Sequence, residues 1–401
     1  MELKKIHISD IGKVVTGKTP RTSIVENYGG DIPFLTPSDD LSYKSVPKTG
    51  KTLTEQGLNE VKNCLLPPHS VCVSCIGTDL GKVVMTSEPT ITNQQFNSII
   101  PNRRFDADFV YYLMTLVGKE LNYLSKTSTA VPIINKSSFS NYEVEVPDLE
   151  TQEKIASILS SLDSKIEVNR RINDNLEQQA QALFKSWFVD FEPFRGGEFV
   201  DSELGLIPKG WRVVSLGEVT KQITEKVGNR EDVTVLSPIN SGELVLSEEY
   251  FTKQVFSKDL SKYLIVNPLS FAYNPARINI GSIGLNTFDF VGCVSPVYVV
   301  FECEPNYQYF FDFFKRTAMF KDEVALRAIG GVRQSLGYND LSLIKIIYPT
   351  SDVVVEFNNL YLKMKEVMIK NTDQNEKFIS LRDSLLPKLM SGELKINEFN
   401  C

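Results

Sequence analysis

The chain repeats itself at a shift of about 200 residues, and a duplicated sequence implies a duplicated architecture before any motif is weighed. Ile11-Gly12-Lys13-Val14 resembles Leu216-Gly217-Glu218-Val219, and Phe34-Leu35-Thr36-Pro37 resembles Val235-Leu236-Ser237-Pro238. Pro68, Ser70, Leu80, Gly81 and Val83 meet Pro268, Ser270, Ile280, Gly281 and Ile283. Phe139, Tyr142, Val144, Val146 and Pro147 fall on Leu341, Ile344, Ile346, Tyr348 and Pro349. The shift drifts by a few residues along the chain, as small loop insertions require.

Each copy ends in a long helical stretch. In alternating steps of four and three, the first reads Ile155, Leu159, Leu162, Ile166, Asn169, Asn173, Leu176, Ala180, Leu183, Trp187. The second reads Phe357, Tyr361, Met364, Met368, Asn371, Asn375, Phe378, Arg382, Leu385, Leu389. Both are heptad seams, and both place asparagine at the same two positions. An asparagine on a seam lowers stability but sets register, because its amide needs a partner across the interface. An ordinary helical bundle with incidental polar residues is the alternative. If the two stretches pair with each other, the order of the chain makes them antiparallel. Arg382 on the seam and Pro387 near its end depart from an ideal coiled coil, and the proline is expected to kink the last turns.

Between the seams, short apolar alternations such as Ser70–Ser74 and Leu269–Tyr273, bounded by Gly, Pro and Asn, read as strands. Phe109–Leu113 and Phe310–Phe314 read as a buried helix in each copy. The expected fold is α+β: two similar α+β domains, over 1–150 and 193–350, separated by an antiparallel coiled coil of two long helices, over 151–192 and 351–401. The connector from Asp190 to Pro208 reads as a loop. At 42% hydrophobic and 23% charged residues the chain suits a water-soluble fold, with no run of the roughly 18 apolar residues that a membrane span requires. The first residues lack the apolar stretch of a secretory signal, so a cytoplasmic location with reduced thiols is expected.

Catalytic readings find little support. Gly12-Lys13-Val14-Val15-Thr16-Gly17-Lys18-Thr19 satisfies the phosphate-loop pattern, which alone suggests an NTPase. That chemistry needs a buried strand before the loop and a helix after it. The flanks are polar, Gly29-Gly30 would stop a helix, and the second copy carries no Gly-Lys-Thr. Cys72-Val73-Ser74-Cys75 has metal-knuckle spacing but no second ligand pair, and the chain holds only two histidines, so no metal site is expected. Asp39-Asp40 and the Asp106/Asp108 pair read as solvated surface. No Asn-Pro-Pro-aromatic motif of an amino-methyltransferase occurs. The chain reads as non-catalytic.

Two similar units on a double-helical spacer suit a rod with two separated features, and duplex DNA is such a rod. From Ile155 to Trp187 a helix rises about 48 Å, the length of about 14 base pairs. Val131-Pro132-Ile133-Ile134, Val146–Ile155, Ile207–Val219, Asn93-Gln94-Gln95 and Leu385–Leu394 carry a resemblance along nearly the whole chain: it resembles the specificity subunits of type I restriction-modification systems. That resemblance implies a non-enzymatic subunit with two target-recognition domains, each reading half of an asymmetric bipartite DNA site. It also implies docking of two methyltransferase subunits on the helices and of motor-nuclease subunits in the full complex. S-adenosylmethionine, ATP and Mg would belong to those partners and not to this chain.

A net charge of −7, spread without a basic segment, does not advertise a DNA-binding surface, and phosphate contacts shared with the partners would relieve this. Base reading calls for Arg, Lys, Asn and Gln in turn-rich loops. The candidates are Lys18, Arg21 and Lys136 in the first copy, and Asn274, Arg277, Asn279, Arg333 and Gln334 in the second. A coiled-coil adaptor that never touches DNA is the other alternative.

Overall fold

The computed structural model describes residues 2–77, 79–126, 133–251, 253–327 and 335–394. Arg333 and Gln334, and the Val131-Pro132 part of one motif, lie outside them. The chain divides into two compact units, Met1–Arg171 with Asn371–Cys401, and Ile172–Lys370.

The strands of unit 1 are β1 (Lys4–His7), β2 (Gly12–Thr16), β3 (Tyr28–Leu35), β4 (Thr52–Leu53), β5 (Val71–Ser74), β6 (Val83–Met85), β7 (Ile91–Thr92), β8 (Phe96–Pro101) and β9 (Glu143–Val146). β2-β8-β5-β6 form an antiparallel sheet, β4-β3-β7 a second sheet in which β3 and β7 run parallel, and β1 pairs with β9. The strands of unit 2 begin with a hairpin of β10 (Phe199–Ser202) and β11 (Gly205–Pro208), where the sequence reads as loop. Hairpin formation there rests on Gly205, whose φ of 96° is open to glycine at little cost.

The rest of unit 2 repeats unit 1. Its strands are β12 (Arg212–Ser215), β13 (Thr220–Ile223), β14 (Thr234–Pro238), β15 (Leu244–Leu246), β16 (Leu264–Val266), β17 (Phe271–Tyr273), β18 (Ile283–Leu285), β19 (Gly292–Val294), β20 (Val299–Cys303) and β21 (Lys345–Tyr348). β13-β20-β17-β18 matches β2-β8-β5-β6, the parallel pair β14/β19 matches β3/β7, and β12/β21 matches β1/β9. The repeat reaches single torsions. His69 and Leu269 both adopt left-handed backbone, at φ 64° and 61°, a conformation that costs a non-glycine residue roughly 1–2 kcal/mol. Each is held by the same backbone bond, to Thr86 O at 2.7 Å and to Asn286 O at 2.8 Å.

The two long helices span Leu149–Phe188 and Ser351–Ser391. Every position of both heptad seams is buried or half-buried. Within unit 1, Asn169 Nδ2 donates to Asn375 Oδ1 at 2.9 Å and Arg382 to Asp163 Oδ1 at 2.7 Å; within unit 2, Asn173 Nδ2 donates to Met368 O at 3.1 Å and Phe184 packs on Phe357. In both units the partner numbers descend as the first helix ascends, so the helices are antiparallel. Asn371 is buried as well. Arg382, a departure from an apolar seam, has an anionic partner across the pair. The second helix continues through Pro387 to Ser391. The lost N–H lies in the last turn, where few bonds remain to be broken.

The head of each unit carries helix beside its four-stranded sheet: one helix in unit 1, Ala107–Lys126, and two in succession in unit 2, Gln308–Phe314 and Ala318–Arg327. Phe310, Phe311, Phe313 and Phe314 are all buried, and so is Asp312 between them, in a helix that packs against both the sheet and the long helices.

Candidate nucleic-acid interface

Strand direction decides where the candidate residues gather. In unit 1, Thr16 at the end of β2 faces Asn97, and Ser74 at the end of β5 faces Phe96 at the start of β8. The loops after β2, before β8 and after β5 therefore leave from one end of the sheet. Backbone bonds knit them together: Lys18 N to Thr92 O at 2.9 Å, Gly17 N to Phe96 O at 3.1 Å, Cys75 N to Gln95 O at 2.7 Å, and Ile134 N to Cys75 O at 3.0 Å. Asn97 Nδ2 also holds Ile134 O at 3.1 Å, which brings the start of the short helix Lys136–Ser140 to the same end.

Lys18, Arg21 and Lys136 are all exposed at this end. Arg21 is committed within the unit: its Nε and terminal nitrogen hold Glu60 Oε1 at 3.0 and 2.7 Å. That contact lowers the Glu60 carboxyl to about 2, chiefly through the Arg21 hydrogen bonds. Lys18 and Lys136 form no ion pair among the described residues. The same loops present Gln94, bonded to Thr19 Oγ1 at 2.7 Å, and Gln95, bonded to Asn93 Nδ2 at 2.8 Å.

Unit 2 builds the matching end. Tyr273 at the end of β17 faces Val299 of β20, and Ile223 at the end of β13 faces Val300. The loop 274–282 is closed by Asn274 N to Ser282 O at 3.1 Å, and Leu336 N reaches Pro275 O at 3.1 Å as Ile134 reaches Cys75. Asn274 Oδ1 accepts from Ala276 N at 3.0 Å, so this side chain shapes the turn. Arg277 and Asn279 are exposed on it, and the Arg277 guanidinium makes no hydrogen bond or ion pair among the described residues. Sequence reasoning passed over Lys226, exposed in the loop after β13 that corresponds to the Lys18 loop; extending the repeat across that loop would have found it. At a matched position before β8 and β20, Gln95 in unit 1 becomes exposed Val297 in unit 2.

The same geometry disposes of the nucleotide-binding motif. Gly12–Thr16 is a strand, and the Gly17 and Lys18 N–H groups that a phosphate would need already hold backbone carbonyls. The next element is only a single turn, Val25–Asn27, so no helix N-terminus is aimed at the loop. Cys72 and Cys75 are buried free thiols, and burial pushes Cys72 up to about 12. The carboxylates read as idle surface have structural partners instead. Asp39 accepts from Thr36 N and Gly50 N, Asp106 accepts from Phe109 N, and Asp108 pairs with Lys44 at 2.6 Å.

Comparison with known proteins gives this loop geometry its context. Residues 1–178 match the family model described as the type I restriction modification DNA specificity domain. The MjaIX specificity subunit of Methanocaldococcus jannaschii is 29% identical across 99% of this chain and 94% of its own length. Along nearly its whole length the chain is similar to a specificity subunit of a type I restriction-modification system. The HindI specificity subunit of Haemophilus influenzae is 36% identical over 42% of this chain and 38% of that protein. The fold matches the S subunit of a type I restriction-modification system from M. genitalium over 97% and 96% of the two chains, with a TM-score of 0.52 at 14% identity. As a specificity subunit, the chain is a non-catalytic component. Among the described residues no group of His, Cys, Asp and Glu side chains is placed to hold a metal ion, and no helix is long and apolar enough to cross a membrane.

Proposed function

We propose that this specificity subunit reads an asymmetric, bipartite duplex DNA site, each unit contacting one half through the loops at one end of its four-stranded sheet. Lys18, Lys136 and Gln94 serve unit 1; Asn274, Arg277, Asn279 and Lys226 serve unit 2. Arg21 acts at one remove, by fixing its loop to Glu60. The observation that carries this reading is the coincidence, in both units, of uncommitted cationic side chains with amides on loops that the strand order brings together. Those are the groups that meet phosphates and purine edges in the major groove.

The long helices dock two methyltransferase subunits, and motor-nuclease subunits join them in the full complex. S-adenosylmethionine, ATP and Mg are bound by those partners. Along the helix pair, Asn169 with Asn375, and Asn173 and Asn371 on the same seams, set the register. Mapping methylated adenines genome-wide with and without this chain tests the reading: a bipartite motif disappears on deletion, and an unchanged methylation pattern refutes it.

A further inference from the structure

A chain of charges in unit 2 runs from the first long helix to the base of the 274–282 loop. Glu177 Oε1 on that helix holds Arg316 at 2.5 Å, and Arg316 holds Asp312 Oδ2 at 2.7 Å. Asp312 Oδ1 holds the Lys315 ammonium at 2.8 Å, and Lys315 donates to Ile283 O at 3.0 Å and to Gly242 O at 2.5 Å. Ile283 directly follows Ser282, whose carbonyl closes the loop on Asn274 and whose Oγ donates to Pro238 O at 2.8 Å. The side chains of Lys315 and Asp312 are 2% and 9% exposed.

An ammonium has three donors, and Lys315 has three acceptors. Both Asp312 oxygens are engaged as well. A buried pair so completely partnered adds little net stability compared with an apolar pair, but it admits one geometry only. Unit 1 holds its matching loop by neutral means. Asn122 Nδ2 donates to Leu80 O at 2.7 Å, and Gly81 lies so close to Gly118 that a Cβ on either would sit 2.1 Å from the other's carbonyl oxygen.

We infer that Asp312 and Lys315 are positioning residues for DNA reading: they fix the Arg277 loop of unit 2 and tie its position, through Arg316 and Glu177, to the first long helix. This rests on the DNA reading proposed above. The consequence is that discrimination in one half-site depends on side chains that never meet DNA.

The test uses the full chain assembled with its methyltransferase partners. Methylation is compared between the native site and sites with one base pair changed in either half, for the unaltered chain, Lys315→Met with Asp312→Leu, and Glu177→Gln. In the half read by unit 2, the double variant loses at least tenfold of its discrimination and Glu177→Gln loses less, in the same direction. In the other half both discriminate as before. Glu177 is partly exposed, so its neutral replacement keeps the test valid should the double variant fold poorly. Equal losses in both halves, or unchanged discrimination in the Glu177 variant, overturn the inference. An unaltered complex that distinguishes none of the changed sites overturns the DNA reading itself, which is a separate outcome.

Discussion

The two units share a topology and differ in how the head is joined to the long helices. In unit 2 the joint is aromatic: Phe184 and Phe188 of the first helix meet Phe310 and Phe357, Phe184 also stacks on Phe313, and Trp211 closes on Phe188. In unit 1 the corresponding joint combines aliphatic packing of Ile155 and Leu159 with Leu386 and Leu389 and a polar core. There the Tyr112 hydroxyl and Arg382 both hold Asp163, while Lys44 reaches Ser160 Oγ at 3.1 Å and Asp108. Desolvation and the Asp163 charge push the Tyr112 phenol far above its usual range, so it stays a donor. Topology is thus indifferent to whether a joint is closed by apolar area or by hydrogen bonds. The two chemistries should fail differently.

The largest effect is expected for Phe184→Ala, which empties the centre of the aromatic joint and lowers stability by about 3–5 kcal/mol. Both tryptophans of the chain, Trp187 and Trp211, lie in unit 2, so guanidinium unfolding followed by tryptophan fluorescence reports this unit. Asp163→Ala leaves Tyr112 and Arg382 without their shared acceptor. It should lower the stability of unit 1 by about 2–3 kcal/mol, because Arg382 keeps Asp383 and part of its solvation. That loss should appear in proteolysis of unit 1 while the tryptophan midpoint stays in place; a midpoint that moves equally in both variants would break the contrast.

Arg277→Ala should weaken reading of one half-site by about 1–3 kcal/mol, roughly five- to 150-fold, with assembly intact; methylation of the native site at an unchanged rate refutes the assignment. The smallest effect concerns Glu60. Its carboxyl titrates near 2 while paired with Arg21. A depressed folded value means that the pairing contributes above the ordinary glutamate range and is lost as pH falls towards 2. Carbon-detected NMR should find Glu60 returning towards the ordinary range in Arg21→Ala, and an unmoved titration would separate it from Arg21.

Much of this was legible in one dimension because the signals are periodic or repeated. Heptad spacing marked both long helices, and the shift of about 200 residues predicted that β5 and β17, like the helices, would have counterparts. What escaped was non-periodic. The β10/β11 hairpin has no copy in unit 1, so the repeat said nothing of it. Lys44, Asp163 and Arg382 lie far apart in sequence, and no local pattern announces that they meet. Arg21 was named as a base reader without its contact to Glu60, because nothing nearby in the sequence reveals that partner. The Gly12–Thr19 motif was already set aside in the sequence, because a spacing match carries no information about strand or helix context and its flanks and second copy do not fit a phosphate loop.

The sequence alone determined the duplication, the α+β class, the two seams and their antiparallel order, because hydrophobic burial follows periodicity and periodicity is written along the chain. Only the tertiary structure decided which charged groups remain available to a ligand and which are locked in Arg21–Glu60, Asp163–Arg382 or Asp312–Lys315 contacts. Electrostatic partners are chosen by proximity in space, and the fold brings together residues that the chain keeps more than two hundred positions apart, as with Asp163 and Arg382.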